Sequence, residues 1–181
     1  MRIYIRNYVP GGTYFFTLVT CRRRPLLASH SARCCLRFAF RQARAQWPFE
    51  IIAIVLLPDY LHMVMSLPVG NADFSLRVRK VKALFTETYR RSVGSSEAAA
   101  FRRAARGERN VWQPRFWEHT VRDEADLKRC VDYVHWNPMK HGLVRRVMDY
   151  PWSSYHRYVR MGEYAGDWGD HDPCPGFGMP E

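Results

Sequence analysis

Two short stretches of this sequence hold side chains whose types and spacing could do chemistry. In Leu57-Pro58-Asp59-Tyr60-Leu61-His62-Met63 a phenol and an imidazole stand two residues apart. On a strand that spacing turns Tyr60 and His62 to one face, and Leu61 and Met63 to the other. In Asp132-Tyr133-Val134-His135-Trp136-Asn137-Pro138 a tyrosine and an asparagine stand four residues apart. On a helix these two share a face, one turn from each other. A hydroxyl so placed either satisfies itself on the polar amide at the edge of a core or serves as a phenol nucleophile aimed at a phosphorus centre. A single histidine on a strand is more often a hydrogen-bonded structural group, and spacing alone gives His62 that bland role.

The surrounding pattern says which elements must carry these residues. Residues 13–20, Thr-Tyr-Phe-Phe-Thr-Leu-Val-Thr, are β-branched and aromatic behind Gly11-Gly12 and predict a first strand. Leu36, Phe40, Ala43 and Trp47 repeat at helical spacing within 31–47, and Pro48 stops that helix. The apolar run 49–57 suits a strand covered on both faces, and Pro58-Asp59 turns it into a second strand over 60–67. Asp73 caps a helix to about residue 91 with a buried stripe of Phe74, Val78, Val81, Phe85 and Tyr89. A basic loop or short helix is expected at 94–110, a fourth strand at 116–122, and a helix from Asp123 to Asn137 that Pro138 ends. A short aromatic helix is expected within 152–160, and an irregular tail from Met161. The order β-α-β-β-α-β-α is an α+β layout, helices packed on an antiparallel sheet.

Composition narrows the field. The 181 residues include 28 Lys+Arg against 17 Asp+Glu, a net charge of +11, with 47% apolar and 14% aromatic residues. That apolar content excludes a disordered polycation, and the length suits one domain. No run approaches the roughly 18 uninterrupted apolar residues of a membrane span, and Met1-Arg2-Ile3-Tyr4-Ile5-Arg6 lacks the apolar block of a signal peptide. Cys21, Cys34, Cys35, Cys130 and Cys174 are odd in number, two adjacent, with no C-x-x-C spacing. Reduced thiols in a cytoplasm fit this better than a zinc site or a disulfide framework. So basic a domain points to a polyanion, nucleic acid first.

Joined, the motifs resemble the HUH single-strand transposases, and among them the REP-associated tyrosine transposases. Leu57-Pro58-Asp59-Tyr60-Leu61-His62 looks like their metal-binding strand, patterned His–hydrophobe–His. Trp112-Gln113-Pro114-Arg115-Phe116-Trp117-Glu118-His119-Thr120-Val121-Arg122 is followed by Tyr133-Val134-His135-Trp136-Asn137-Pro138-Met139-Lys140-His141-Gly142, then by Tyr150-Pro151-Trp152-Ser153-Ser154-Tyr155, in the family's order. The likeness spans about residues 10–160 of a single domain at 1–181, leaving 161–181 as a tail.

The resemblance implies a ferredoxin-like HUH domain with a four- to five-stranded antiparallel sheet, in a cytoplasmic, nucleoid-associated bacterial protein. It implies metal-dependent cleavage and rejoining of single-stranded or hairpin DNA, the hairpins being repetitive extragenic palindromes. Tyr133 takes the place of the nucleophile, leaving a 5′-phosphotyrosine and a free 3′-hydroxyl, so that one hard displacement becomes two reversible ones. Mg²⁺ or Mn²⁺ would orient and polarise the phosphate, with His62 as the family's second histidine and Asn137 as a third ligand. Here the chain departs from the pattern: the first histidine is replaced by Tyr60, a neutral phenol and a weak ligand. Natural decay, a binding-only role and an engineered change all fit that departure. Glu118-His119 matches the family's own pattern, which argues against its compensating for Tyr60.

Basic residues supply the expected DNA contacts. Arg77, Arg79, Lys80 and Lys82 cluster on the second helix, Arg22 and Arg23 follow the first strand, Arg115 precedes the fourth, and Lys140 closes the tyrosine motif. Trp112 and Trp117 are either stacking platforms for bases or core. The main alternative is a hairpin-binding protein of this fold with impaired catalysis. An RNA-binding sheet of the RRM type ranks below both, since its aromatic signature is missing. The partner is DNA, with no membrane, and the chain is a monomer or a homodimer.

Overall fold

A computed structural model describes residues 6–92 and 111–179. The basic stretch expected at 94–110 lies outside them. The elements are β1 (Thr13–Val19), α1 (His30–Gln46), β2 (Glu50–Leu56), β3 (Tyr60–Ser66), α2 (Phe74–Ser92), β4 (Trp117–Thr120), α3 (Glu124–Lys140) and α4 (Tyr155–Arg160), with single 3₁₀ turns between some of them. The four strands form one antiparallel sheet in the order β2-β3-β1-β4. The expected α+β architecture is the one observed, at the lower of the two strand numbers.

Alternation along the central strands builds two cores. Tyr14, Phe16 and Leu18 of β1 and Leu61, Met63 and Met65 of β3 pack under α1 and α2. Phe15 of β1 and Tyr60 and Val64 of β3 face α3 with Cys130, Val131, Tyr133 and Val134. The β1–β3 register sets Thr17 opposite His62 and Val19 opposite Tyr60, so the two strands deliver their polar groups to one place. The stripe predicted for α2 is buried throughout.

Two details differ from the pattern reading. Helix α3 runs through Pro138 to Lys140, although proline removes one helical hydrogen bond. The last turn closes without it: His141 N donates to Asn137 O (3.2 Å) and Leu143 N to Pro138 O (2.9 Å). The aromatic segment after residue 150 is an edge guard before it is a helix. Leu56 N donates to Trp152 O and Ser154 N to Ile54 O, which pairs the outer edge of β2 and removes an aggregation-prone border. No described helix is long and apolar enough to cross a membrane.

Candidate active site

Helix α3 presents the tyrosine, and its start is tightly fixed. Asp123 caps it, its carboxylate accepting from Asp126 N at 2.7 Å. The fully buried Asp126 in turn lies 2.8 Å from His119 Nε2 of β4 and accepts from Arg122 N at 3.1 Å. Burial alone would raise that carboxyl; the bonds from His119 and Arg122 outweigh it and hold Asp126 below the usual range. His119 therefore clasps strand to helix, and Tyr133 sits two turns further along on the sheet-facing side.

There the expected residues meet. The His62 and Tyr133 rings are 5.5 Å apart between centroids, the Tyr60 and His62 rings 4.9 Å. Tyr60 Oη donates to Asn137 Oδ1 at 3.0 Å. Lys140 Nζ donates to Tyr133 Oη at 2.8 Å and lies 4.8 Å from the ring centroid. His62, Tyr133 and Asn137 are fully buried, Tyr60 nearly so. Arg23 borders the group, 5.5 Å from the Tyr60 ring and paired with Asp59 at 2.9 Å. Both Arg22 and Arg23 hold positive φ angles of 53° and 50°, a costly conformation for side-chain-bearing residues that is seen where a site over-determines the backbone.

Three contributors escaped the pattern reading. Thr17 Oγ1 lies 3.0 Å from His62 Nδ1 and fixes the imidazole. His141 stands 6.1 Å from Tyr60, ring to ring. The irregular tail folds back over Tyr133: its Oη donates to Met179 O at 3.3 Å, and Phe177 meets its ring edge-on at 5.9 Å. Carrying α3 past Pro138 would have found His141, four residues beyond Asn137, and would have set Lys140, expected only as a DNA contact, two turns from Tyr133 on its face. The tail left no periodic signal.

Of the remaining DNA candidates, Arg22 adjoins Arg23, and Arg77, Arg79, Lys80 and Lys82 lie on α2. Arg77 is the correction among them. It is 4% exposed and bonds Pro48 O, Asn71 Oδ1 and Asp73 O, so it braces α2 and has no face to offer a phosphate. Lys82 donates to Gln113 O at 2.7 Å, and burial pushes its ammonium down to about 8. Lys80 covers the Trp47 ring at 4.4 Å. Arg79, Arg22 and Arg115 are exposed. Trp112 is core, 4% exposed, and Trp117 packs against Phe15.

Two places deserve testing as cation sites. His119, Asp126 and Cys130 bring ligand atoms within 4.8 Å of one another. There Asp126 is already engaged by His119 and Arg122, Arg129 lies 3.6 Å away, and burial first, then Asp126, pushes the Cys130 thiol up to about 12. That cluster is a structural clasp. Beside Tyr133 the donors are one imidazole, one amide oxygen and one phenol, with no carboxylate among them. A hard divalent ion accepts imidazole and oxygen ligands, and an imidazole oriented through its other nitrogen is the usual ligand arrangement. His62, held by Thr17, and Asn137 fit such an ion. Tyr60 competes with it, since its hydroxyl proton lies on the very oxygen that Asn137 would contribute. The Asn137 Nδ2 is buried with no hydrogen-bond partner among the described residues, a donor suited to a phosphate oxygen.

Known proteins resemble this chain over most of its length. The family described as transposase IS200 like matches residues 8–137. The REP-associated tyrosine transposase of Escherichia coli is 41% identical over 168 residues, covering 93% of this chain and 91% of that one. A relative from Haemophilus influenzae is 38% identical over 172 residues, covering 93% and 94%. Among solved structures, a REP-associated tyrosine transposase bound to a REP hairpin superposes with a TM-score of 0.78 at 39% identity, all of both chains being covered.

Proposed function

The chain belongs to the REP-associated tyrosine transposases of the IS200-like family, and on that premise we propose that it binds hairpin DNA of the REP type and cleaves and rejoins the adjoining single strand through Tyr133. The observation that carries the reading is the meeting of Tyr133 with His62, 5.5 Å apart, under the ammonium of Lys140. The Tyr133 oxygen forms a bond to phosphorus while the bond from phosphorus to the 3′ oxygen breaks. The phenol gives up its proton, the 3′ oxygen gains one, and the energy of the broken ester is kept for rejoining. Lys140, 2.8 Å from that oxygen, puts positive charge where negative charge must develop. Asn137 Nδ2 and Arg23 suit the phosphate oxygens. His62 and Asn137 would hold a divalent cation such as Mg²⁺ or Mn²⁺, which when bound would polarise the phosphate.

A specific observation favours a second reading, hairpin binding with impaired catalysis: the Tyr60 hydroxyl occupies Asn137 Oδ1 at 3.0 Å. One experiment separates the two. The protein is incubated with a REP hairpin carrying a single-stranded extension and Mn²⁺, then run on a denaturing gel. A covalent adduct that Tyr133→Phe abolishes supports the transferase. Tight binding without adduct across the whole range of Mn²⁺ sinks it in favour of the binding protein, and an adduct restored by Tyr60→His puts the defect at residue 60.

A further inference from the structure

Helix α1 carries a row of arginines whose two central members the fold does not use. Its sequence, His30 to Gln46, contains Arg33, Arg37, Arg41 and Arg44 and no acidic residue. Spacings of four, four and three set them along one face. On other helices several exposed bases are matched with carboxylates, among them Arg91 with Glu87, Lys128 with Asp132 and Arg129 with Asp126. On α1 the two end members are tethered to backbone, Arg33 to Ala28 O at 2.6 Å and Arg44 to Phe49 O at 3.0 Å. The two central ones, Arg37 and Arg41, are exposed and have no hydrogen bond or ion pair among the described residues. Like charges at this spacing destabilise a helix, and the two central arginines make no bond that offsets that cost.

These arginines line a groove of about 360 Å³ between α1, the outer strand β2 and Trp152, over whose ring Arg33 lies at 3.7 Å. No carboxylate lines it. The row is about 16 Å long at 1.5 Å per residue, the length of about five phosphate steps of one duplex strand. It flanks the core under α1 and α2, on the opposite side of the sheet from Tyr133.

We infer that the α1 arginine row binds the phosphate backbone of the hairpin's duplex stem, so that this face of the sheet holds the DNA while the other cuts it. The inference rests on the proposed function and names the surface that function requires. Charge complementarity selects the occupant: a rigid strand of evenly spaced phosphates matches a rigid row of fork-shaped guanidiniums.

The test compares the full chain with the double variant Arg37→Gln/Arg41→Gln. Dissociation constants for a REP hairpin, and for a single strand of equal length that cannot pair, are followed by fluorescence anisotropy over a range of salt. Loss of two phosphate contacts should reduce the slope of log K against log salt by about 1.8 and weaken hairpin binding about 30-fold at 0.15 M salt. The unpaired strand should lose far less, and Arg37→Lys/Arg41→Lys should keep most of the slope. Equal melting temperatures confirm that the exposed substitutions leave the fold intact. A hairpin affinity unchanged in the double variant overturns the inference and leaves the proposed function standing. So does an equal loss for both DNAs. A polyglutamate of matched charge that competes as well as the hairpin assigns the row to an acidic protein partner instead. A native chain that binds no hairpin sinks both readings together.

Discussion

Removing residues 174–181 should speed the reaction of Tyr133, because the tail is what separates its hydroxyl from solvent. Tyr133 is fully buried, and Met179 O takes its hydroxyl proton at 3.3 Å. The closed tail gains the burial of Cys174 and Met179, each worth about 2 kcal/mol, and the partial burial of Phe177. The edge-on contact of Phe177 with Tyr133 and one long neutral hydrogen bond add about 1 kcal/mol each. The favourable side comes to about 7 kcal/mol, against at least about 6 kcal/mol for ordering six residues of backbone. Closure is therefore favoured by at most about 1 kcal/mol, and truncation should raise the initial rate of adduct formation up to about fivefold. Phe177→Ala should give a smaller rise in the same direction. The assay is the time course of the DNA adduct under saturating hairpin. Nitration of Tyr133 by tetranitromethane, read by mass spectrometry, follows exposure of the same ring without DNA. A rate unchanged within about twofold, or equal nitration of the full-length and truncated chains, would refute the reasoning.

Other consequences can be checked with little material. Tyr60→His replaces a neutral phenol with an imidazole and frees Asn137 Oδ1, so Mn²⁺ affinity measured by calorimetry should rise about tenfold or more; an unchanged affinity would place the ion elsewhere. Arg77→Met leaves Pro48 O, Asn71 and Asp73 O without their shared donor and should cost about 2–3 kcal/mol in urea unfolding, whereas a loss under about 0.5 kcal/mol would return Arg77 to the surface. His135 is fully buried among Tyr155, Tyr158, Tyr164 and Trp168, and desolvation, then Arg157, pushes it down to about 3. Its folded value lies below the unfolded one, so the unfolded chain takes up the proton first as pH falls. Stability should thus be flat above pH 7 and decline from near pH 6.5 downward, by about 2 kcal/mol at pH 5. His135→Gln should flatten that part of the profile, and a profile equally steep in the variant would count against the buried histidine.

How much of this was legible beforehand depended on whether a signal was periodic. Alternation along 60–66 placed Tyr60 and His62 on one face and Leu61 and Met63 on the other, as observed. Helical spacing put Tyr133 and Asn137 together. What periodicity cannot express is register between strands distant in sequence, and so Thr17, which meets His62 only through the β1–β3 pairing, went unseen. Pro138 hid His141, and with it the place of Lys140 beside Tyr133, because a local rule about helix ends was overridden by bonds made after the proline. The basic cluster on α2 misled for the opposite reason. Charge alone marks a residue as solvated, yet Arg77 is drawn inward by three backbone and side-chain oxygens that no neighbour in sequence announces. The arginines of α1 were equally visible but were read only for the apolar face they alternate with.

Two oxygens matter to the proposed reaction, and each makes a neutral bond: Tyr133 Oη donates to Met179 O at 3.3 Å, while accepting from Lys140 Nζ at 2.8 Å, and Asn137 Oδ1 accepts from Tyr60 Oη at 3.0 Å. Such bonds contribute about 1 kcal/mol apiece, far less than the clasp of β4 to α3 or the two cores that fix the surrounding backbone. The framework that brings Tyr133, His62, Asn137 and Lys140 together is thus rigid, while the contacts that keep them from a phosphate are slight. A bound single strand offers charged oxygens to Lys140, Arg23 and Asn137 Nδ2, and charge-assisted bonds of about 1.5–3 kcal/mol each exceed what they displace. On the proposed function, Tyr60 in place of the family's first histidine would lower the grip on a cation without dismantling the site. Restoring Tyr60→His and shortening the tail should therefore act on separate steps, with rate effects that multiply when combined; a double change no faster than the better single one would show that the tail and Tyr60 close the same gate.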